Sequence, residues 1–163
     1  MASYSRQLKI LFEDSPYRDI LNGVALSSNV NENALDFFKP CGGWLKVFEQ
    51  LEKELKFLDK FKDRHLLILI DFDEKFESRY DKFLKSIPSQ YQNRVFILGV
   101  DNKESEALKS LFKMPNFEKI GKKLIKDCPD SDLSNWKNKH LECNEFEIKR
   151  MKKCGVFDWL FNN

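Results

Sequence analysis

The residues able to do chemistry in this 163-residue chain are carboxylates at the ends of apolar runs. Leu66-Leu-Ile-Leu-Ile-Asp-Phe-Asp73 carries five aliphatic residues straight into two aspartates one residue apart. Gln7-Leu-Lys-Ile-Leu-Phe12 runs into Glu13-Asp14, and Arg94-Val-Phe-Ile-Leu98 is followed by Asp101, Glu104 and Glu106. Side chains at i and i+2 of an extended chain share a face, so Asp71 and Asp73 are expected to point together with Phe72 turned away. Carboxylates crowded at one strand end repel, and one of them takes up a proton. A hard divalent cation relieves that crowding; Mg²⁺ takes oxygen ligands, commonly one or two carboxylates completed by water and substrate phosphate. The same acids have an ordinary reading, since Asp and Glu often cap the free N–H groups of a following helix. Asp14 or Asp73 alone would fit that role. The metal reading gains because Glu13 and Asp71 close two different strands.

The elements that must hold these residues follow from hydrophobic periodicity. A strand over 7–12 is followed by a helix from about Ser15 to about Ser28, with Pro16 in its first turn. A short strand near 36–39 meets Pro40-Cys-Gly-Gly43. Helical spacing of Leu45, Phe48, Leu51, Leu55 and Leu58 predicts a helix from Trp44 to about Phe61. The unbroken run 66–70 suits a central parallel strand covered on both faces. A helix over 76–86, a strand over 94–98 and helices over about 104–113, 117–127, 134–152 and 155–161 complete the chain. Strands alternating with helices give an α/β fold with a mainly parallel four-stranded sheet flanked by helices. Ligands bind such sheets outside the carboxyl ends of the strands, where the carboxylates fall.

Composition narrows the function classes. A chain that is 42% hydrophobic with 15 Phe is not disordered. Its net charge of +2 is no basic field of the kind that by itself argues for nucleic acid. The clusters Lys119–Lys126 and Lys149–Lys153 read first as solvated helix faces, although they could touch phosphate. No apolar run approaches a membrane span, and the N-terminus lacks a signal-peptide core; the chain reads as cytoplasmic. Cys41, Cys128, Cys143 and Cys154 form no CxxC pair, His65 and His140 complete no zinc spacing, and the cysteines are expected to be reduced thiols.

The first-strand segment Ile10-Leu-Phe-Glu13-Asp-Ser-Pro-Tyr-Arg-Asp19, the turn Pro40-Cys-Gly-Gly43 and Asp71-Phe-Asp73 together resemble the Toprim domain. Toprim is shared by topoisomerases, primases and nucleases of the overcoming-lysogenization-defect type. Gly99-Val-Asp-Asn-Lys-Glu-Ser-Glu106 is similar to the further acidic motif of the nuclease-like branches, with Glu106 the better match and Glu104 second. The resemblance covers about residues 7–112. It implies a Toprim/Rossmann-like domain over 1–115, followed by a helical C-terminal extension over 116–163 packed on the same domain. It implies metal-dependent phosphodiester cleavage, with Glu13 as the catalytic or metal-binding acid and Mg²⁺ or Mn²⁺ on Asp71, Asp73 and Glu106. Lys46, Arg18 or Arg79 would counter phosphate charge. The implied partners are nucleic acid, DNA more than RNA, and a second protein such as an ATPase, in an antiviral defence system; no membrane is involved. The family usually has Gly after its first Glu and after its DxD, where this chain has Asp14 and Glu74. These departures keep open a non-catalytic Toprim-like binding or regulatory subunit. A receiver-like signalling domain is the rival fold, because Leu8–Arg18 also resembles a receiver's opening. It would make Asp71 a phospho-acceptor, but it wants Ser or Thr after the fourth strand and a fifth strand ending in Lys. Trp136, Phe146, Phe157, Trp159 and Phe161 are expected to cover a sheet face, with an interface as the other reading. His140 and Asn144, four apart, share a face if their segment is helical, and neither is assigned to the site.

Overall fold

The computed structural model describes residues 6–102, 104–130 and 132–162. Strands β1 (Gln7–Phe12), β2 (Leu35–Asp36), β3 (Arg64–Asp71) and β4 (Val95–Val100) form one all-parallel sheet in the order β2-β1-β3-β4. The chain leaves β1 in opposite directions to reach β2 and β3, so β1 and β3 flank the point where strand order reverses.

Residues Leu66–Ile70 of β3 are all buried because both sheet faces are covered. On one face, Leu8, Ile10 and Phe12 join Leu67, Leu69, Phe96, Leu98 and Val100 in a core shared with α1 (Ser15–Ala25) and α5 (Phe117–Asp127). α4 (Ala107–Phe112), α6 (Glu145–Lys153) and α7 (Val156–Leu160) complete that layer. On the other face, Leu11, Leu66, Ile68, Ile70, Val95 and Ile97 pack against α2 (Trp44–Leu55) and α3 (Phe76–Ser86). The result is the expected α/β architecture, a parallel sheet between helices.

Gly23 on α1 and Gly121 on α5 let these two helices meet backbone to backbone. A Cβ at Gly23 would overlap the Glu118 carbonyl, and one at Gly121 would overlap that of Ile20. α5 lies in the region 116–163 and shares a core with strands and helices of residues 7–112 directly.

The continuous helix expected over 134–152 is not formed. The segment runs through 3-10 turns at Ser134–Trp136 and Glu142–Asn144 before α6 begins. Asn138 provides the reason: its side-chain oxygen accepts from the N–H groups of His140 and Leu141 at 3.0 and 3.1 Å, a local bond that competes with the helix ladder. The break carries Asn144 and Glu147 to the outer edge of β4. Glu147 accepts from Ile97 N–H at 2.9 Å, and Asn144 both accepts from Gly99 N–H at 2.9 Å and donates to Gly99 C=O at 2.7 Å. Side chains thus occupy an edge that would otherwise invite another strand. Among the described residues no helix is long and apolar enough to cross a membrane, and all four cysteines are free.

Candidate functional site

β1 and β3 end side by side, and this brings Glu13 onto Asp71. The register pairs Phe12 with Leu69. One residue further, Glu13 leaves the strand and its Oε2 accepts the Asp71 backbone N–H at 2.7 Å. The turn after β2 closes the other side: Gly42 and Gly43 N–H donate to the Glu13 carbonyl at 3.0 and 3.2 Å, and Cys41 N–H donates to Phe12 at 2.8 Å. Both glycines have positive φ, 92° and 126°, which explains the residue type at this turn.

Asp71 is 5% exposed. Its Oδ1 accepts the Tyr17 hydroxyl at 2.7 Å, and that hydroxyl in turn accepts Val100 N–H at 3.2 Å. Ile70 C=O lies 2.9 Å from the same hydroxyl and offers it a second acceptor. Burial pushes the Asp71 carboxyl up to about 7; the Tyr17 hydrogen bond pulls it down, while the charges of Glu13, Asp14 and Asp73 push it further up. Glu13 is raised as well, first by burial and then by Asp14 and Asp73; the Asp71 N–H and, more weakly, Arg79 oppose this. Asp14 is raised by burial and by Glu104. The carboxylates sense one another, each raising the proton affinity of its neighbours.

Asp73 differs from the expectation. β3 ends at Asp71, and Asp73 and Glu74 both adopt left-handed backbone, φ 50° and 63°. The pleat that would align Asp73 with Asp71 therefore stops short of it. Asp73 instead turns to Arg79, whose Nη1 donates to its Oδ2 at 2.8 Å and also to the Asp71 carbonyl. Glu106 is exposed, lies 3.7 Å from Lys109, adds to the charge that raises Asp14, and lines a shallow cavity of about 420 Å³ with Asp73, Glu74, Asn102 and Glu104. Among the described residues, no three His, Cys, Asp or Glu side chains gather closely enough to hold a metal ion alone.

The capping explanation is met only in part. Asp14 stands at the N-cap of α1, where the Tyr17 N–H of the first turn lowers its carboxyl, but no capping hydrogen bond of good geometry forms and its Oδ1 is buried with no partner. The N-cap of α3 is Lys75, not Asp73. Asp101 also has a buried, unpartnered Oδ1. An Asp14 oxygen without a hydrogen-bond partner beside Glu13 and Asp71 makes an all-oxygen donor set whose carboxyls are raised by burial and by one another. That fits Mg²⁺ or Mn²⁺ held by one or two carboxylates and completed by water and phosphate. Set against family models, curated proteins and solved structures, the chain has no match.

Two participants escape the sequence pattern. Tyr17 looks like one more apolar position of an amphipathic helix. Arg79 stood beside Lys46 and Arg18 with nothing to separate them. Arg18 lies beside Asp19 at 3.9 Å, with a half-open side chain. Lys46 Nζ leans over the Gly42 turn, 3.8 Å from where that residue's Cβ would be. Arg79 alone of the three bonds to the DxD segment.

Proposed function

We propose that this protein is a divalent-metal-dependent nuclease of Toprim type. The observation that carries the reading is the Glu13 carboxylate bonded to Asp71 N–H where β1 and β3 flank the reversal of strand order, the place where open α/β sheets bind ligands. Glu13 and Asp71 would hold Mg²⁺ or Mn²⁺, with Asp14 and the Arg79-paired Asp73 within the same charged neighbourhood. The bound ion would polarise the phosphate and stabilise the leaving oxygen. Glu13, raised by burial, is poised to take or return a proton at its free carboxylate oxygen. Tyr17 fixes the orientation of Asp71 through Oδ1. Phe72, fully buried and edge-on to Phe76 at 4.9 Å, anchors the turn between the two aspartates.

The substrate in this reading is nucleic acid, DNA before RNA, and the action is shared with a partner protein such as an ATPase in antiviral defence; both rest on the resemblance of Glu13, Asp71-Phe-Asp73 and Glu106. A second reading, a non-catalytic subunit with the same shell, is favoured by the Asp73–Arg79 ion pair, which leaves Asp73 turned from Asp71. A receiver reading is disfavoured by the edge of β4, closed by Asn144 and Glu147 instead of a fifth strand, and by the enclosure of Asp71.

The deciding experiment incubates the protein with labelled DNA or RNA and Mg²⁺ or Mn²⁺, alone and with candidate partners. Glu13→Gln and Asp71→Asn should each lower cleavage by about 10² or more, the usual reach of a lost acid–base group. Cleavage that survives both substitutions sinks the nuclease reading; metal binding without cleavage of any substrate supports the non-catalytic one.

A further inference from the structure

Of the three cations that the sequence offers to a phosphate, Arg79 alone is bonded to the carboxylate segment. The Arg79 guanidinium lies over the Trp44 ring, 4.7 Å from its centroid, with only 11% of the side chain exposed. Nη1 spends both hydrogens, one on the Asp71 carbonyl and one on Asp73 Oδ2. Nε and Nη2 donate to no protein acceptor among the described residues. An arginine fixed on one side by a carboxylate, a carbonyl and an aromatic face has already lost most of its side-chain freedom. Its remaining N–H groups form the planar fork that suits two phosphate oxygens.

We infer that Arg79 is the phosphate-binding residue of the site, holding the diester through Nε and Nη2 while Nη1 keeps the Asp71–Asp73 turn in place. The inference rests on the phosphodiester reading above and deepens it by naming the group that meets the substrate. Lys46 and Arg18 are not held in this way. A lysine in place of Arg79 would supply a charge without the fork. The partner group is a phosphodiester oxygen pair; free inorganic phosphate shares the chemistry and is separated by the test.

The test is calorimetric. The wild type, Arg79→Ala and Arg79→Lys are titrated with a short oligothymidylate, with inorganic phosphate and with Mn²⁺ alone. The oligonucleotide is run in Ca²⁺, which suppresses turnover, and again in EDTA. Arg79→Ala should bind the oligonucleotide at least about tenfold more weakly, as for loss of a hydrogen bond to a charged group. Arg79→Lys should recover only part of that. Mn²⁺ affinity should not fall in Arg79→Ala, and removal of a competing cation should raise it by roughly fivefold. A purely structural role predicts the opposite, weaker Mn²⁺ binding together with weaker oligonucleotide binding. Equal oligonucleotide binding by wild type and Arg79→Ala overturns the inference, as does binding of inorganic phosphate alone. Absence of Mn²⁺ binding in the wild type and Arg79→Ala overturns the metal reading; oligonucleotide binding in EDTA that still depends on Arg79 then keeps the inference. If Arg79→Ala does not fold, the Arg79→Lys comparison decides by the same criteria.

Discussion

At the scale of single residues, Asp71 is the buried carboxyl most strongly shifted at the strand ends. Its carboxyl holds a proton to about pH 7 in the folded protein against an ordinary 3.8, and burial is the largest cause. The folded state therefore binds more protons than the unfolded chain between those values. Stability falls as pH rises through that window and levels off above it. In EDTA the wild type should be more stable to urea at pH 5 than at pH 8, with Asp71 contributing at most about 3 kcal/mol of the difference. Asp71→Asn should flatten the slope, and an equally steep slope in that variant would assign it to other groups. Tyr17 acts on the same carboxyl in the other direction. Tyr17→Phe removes the hydroxyl that bonds Asp71 Oδ1, so the Asp71 titration followed by carboxyl-carbon NMR should move further up. The change also strips Val100 N–H of its partner, at about 1–3 kcal/mol. Glu13 and Asp71 were legible because each ends an apolar run, and strand ends are where sheets bind ligands. Tyr17 was not, because nothing in the pattern separates a tyrosine that packs from one that packs and donates.

At the scale of elements, what was legible depended on whether local pattern or a distant partner decides the structure. β1, α3 and α5 begin and end where their sequence periodicity does. The DxD was legible as a motif, yet its geometry was not: left-handed Asp73 and Glu74 end the pleat, and Arg79, six residues on, supplies the reason in the form of an ion pair. The break after Trp136 was hidden for a similar cause. Asn138 diverts two N–H groups, and the reward lies at β4, where Asn144 and Glu147 meet backbone groups some fifty residues away in sequence. Asn144→Ala should leave Gly99 N–H without a partner and Gly99 C=O with only the weak Cys143 thiol donor at 3.9 Å. An expected loss of about 1–3 kcal/mol in urea denaturation follows from one unmet buried group. A loss below about 0.5 kcal/mol would mean that water or a shifted strand satisfies the edge.

At the scale of the whole molecule, the parallel sheet and its two helical layers serve to bring acids from separate strands to one end. Gly23 and Gly121 hold α1 against α5, α1 carries Tyr17, and Tyr17 ties β4 to Asp71, so core packing reaches the site through a single hydroxyl. The cost of that arrangement is buried, mutually repelling carboxylates, and a divalent cation is what would remove it. Binding to the folded state alone raises stability by about 2.7 kcal/mol at a hundred times Kd. Mn²⁺ or Mg²⁺ should therefore raise the melting temperature, and more at pH 8 than at pH 6, because the ion must displace the Asp71 proton below its titration near 7. The same displacement should appear in calorimetry as proton release, with a binding heat that depends on the buffer's ionisation enthalpy below pH 7 and loses that dependence above it. Glu13→Gln and Asp71→Asn should each abolish the metal-induced stabilisation while the apo protein stays folded. Stabilisation that persists in both variants would place the cation elsewhere, and stabilisation independent of pH would separate it from Asp71.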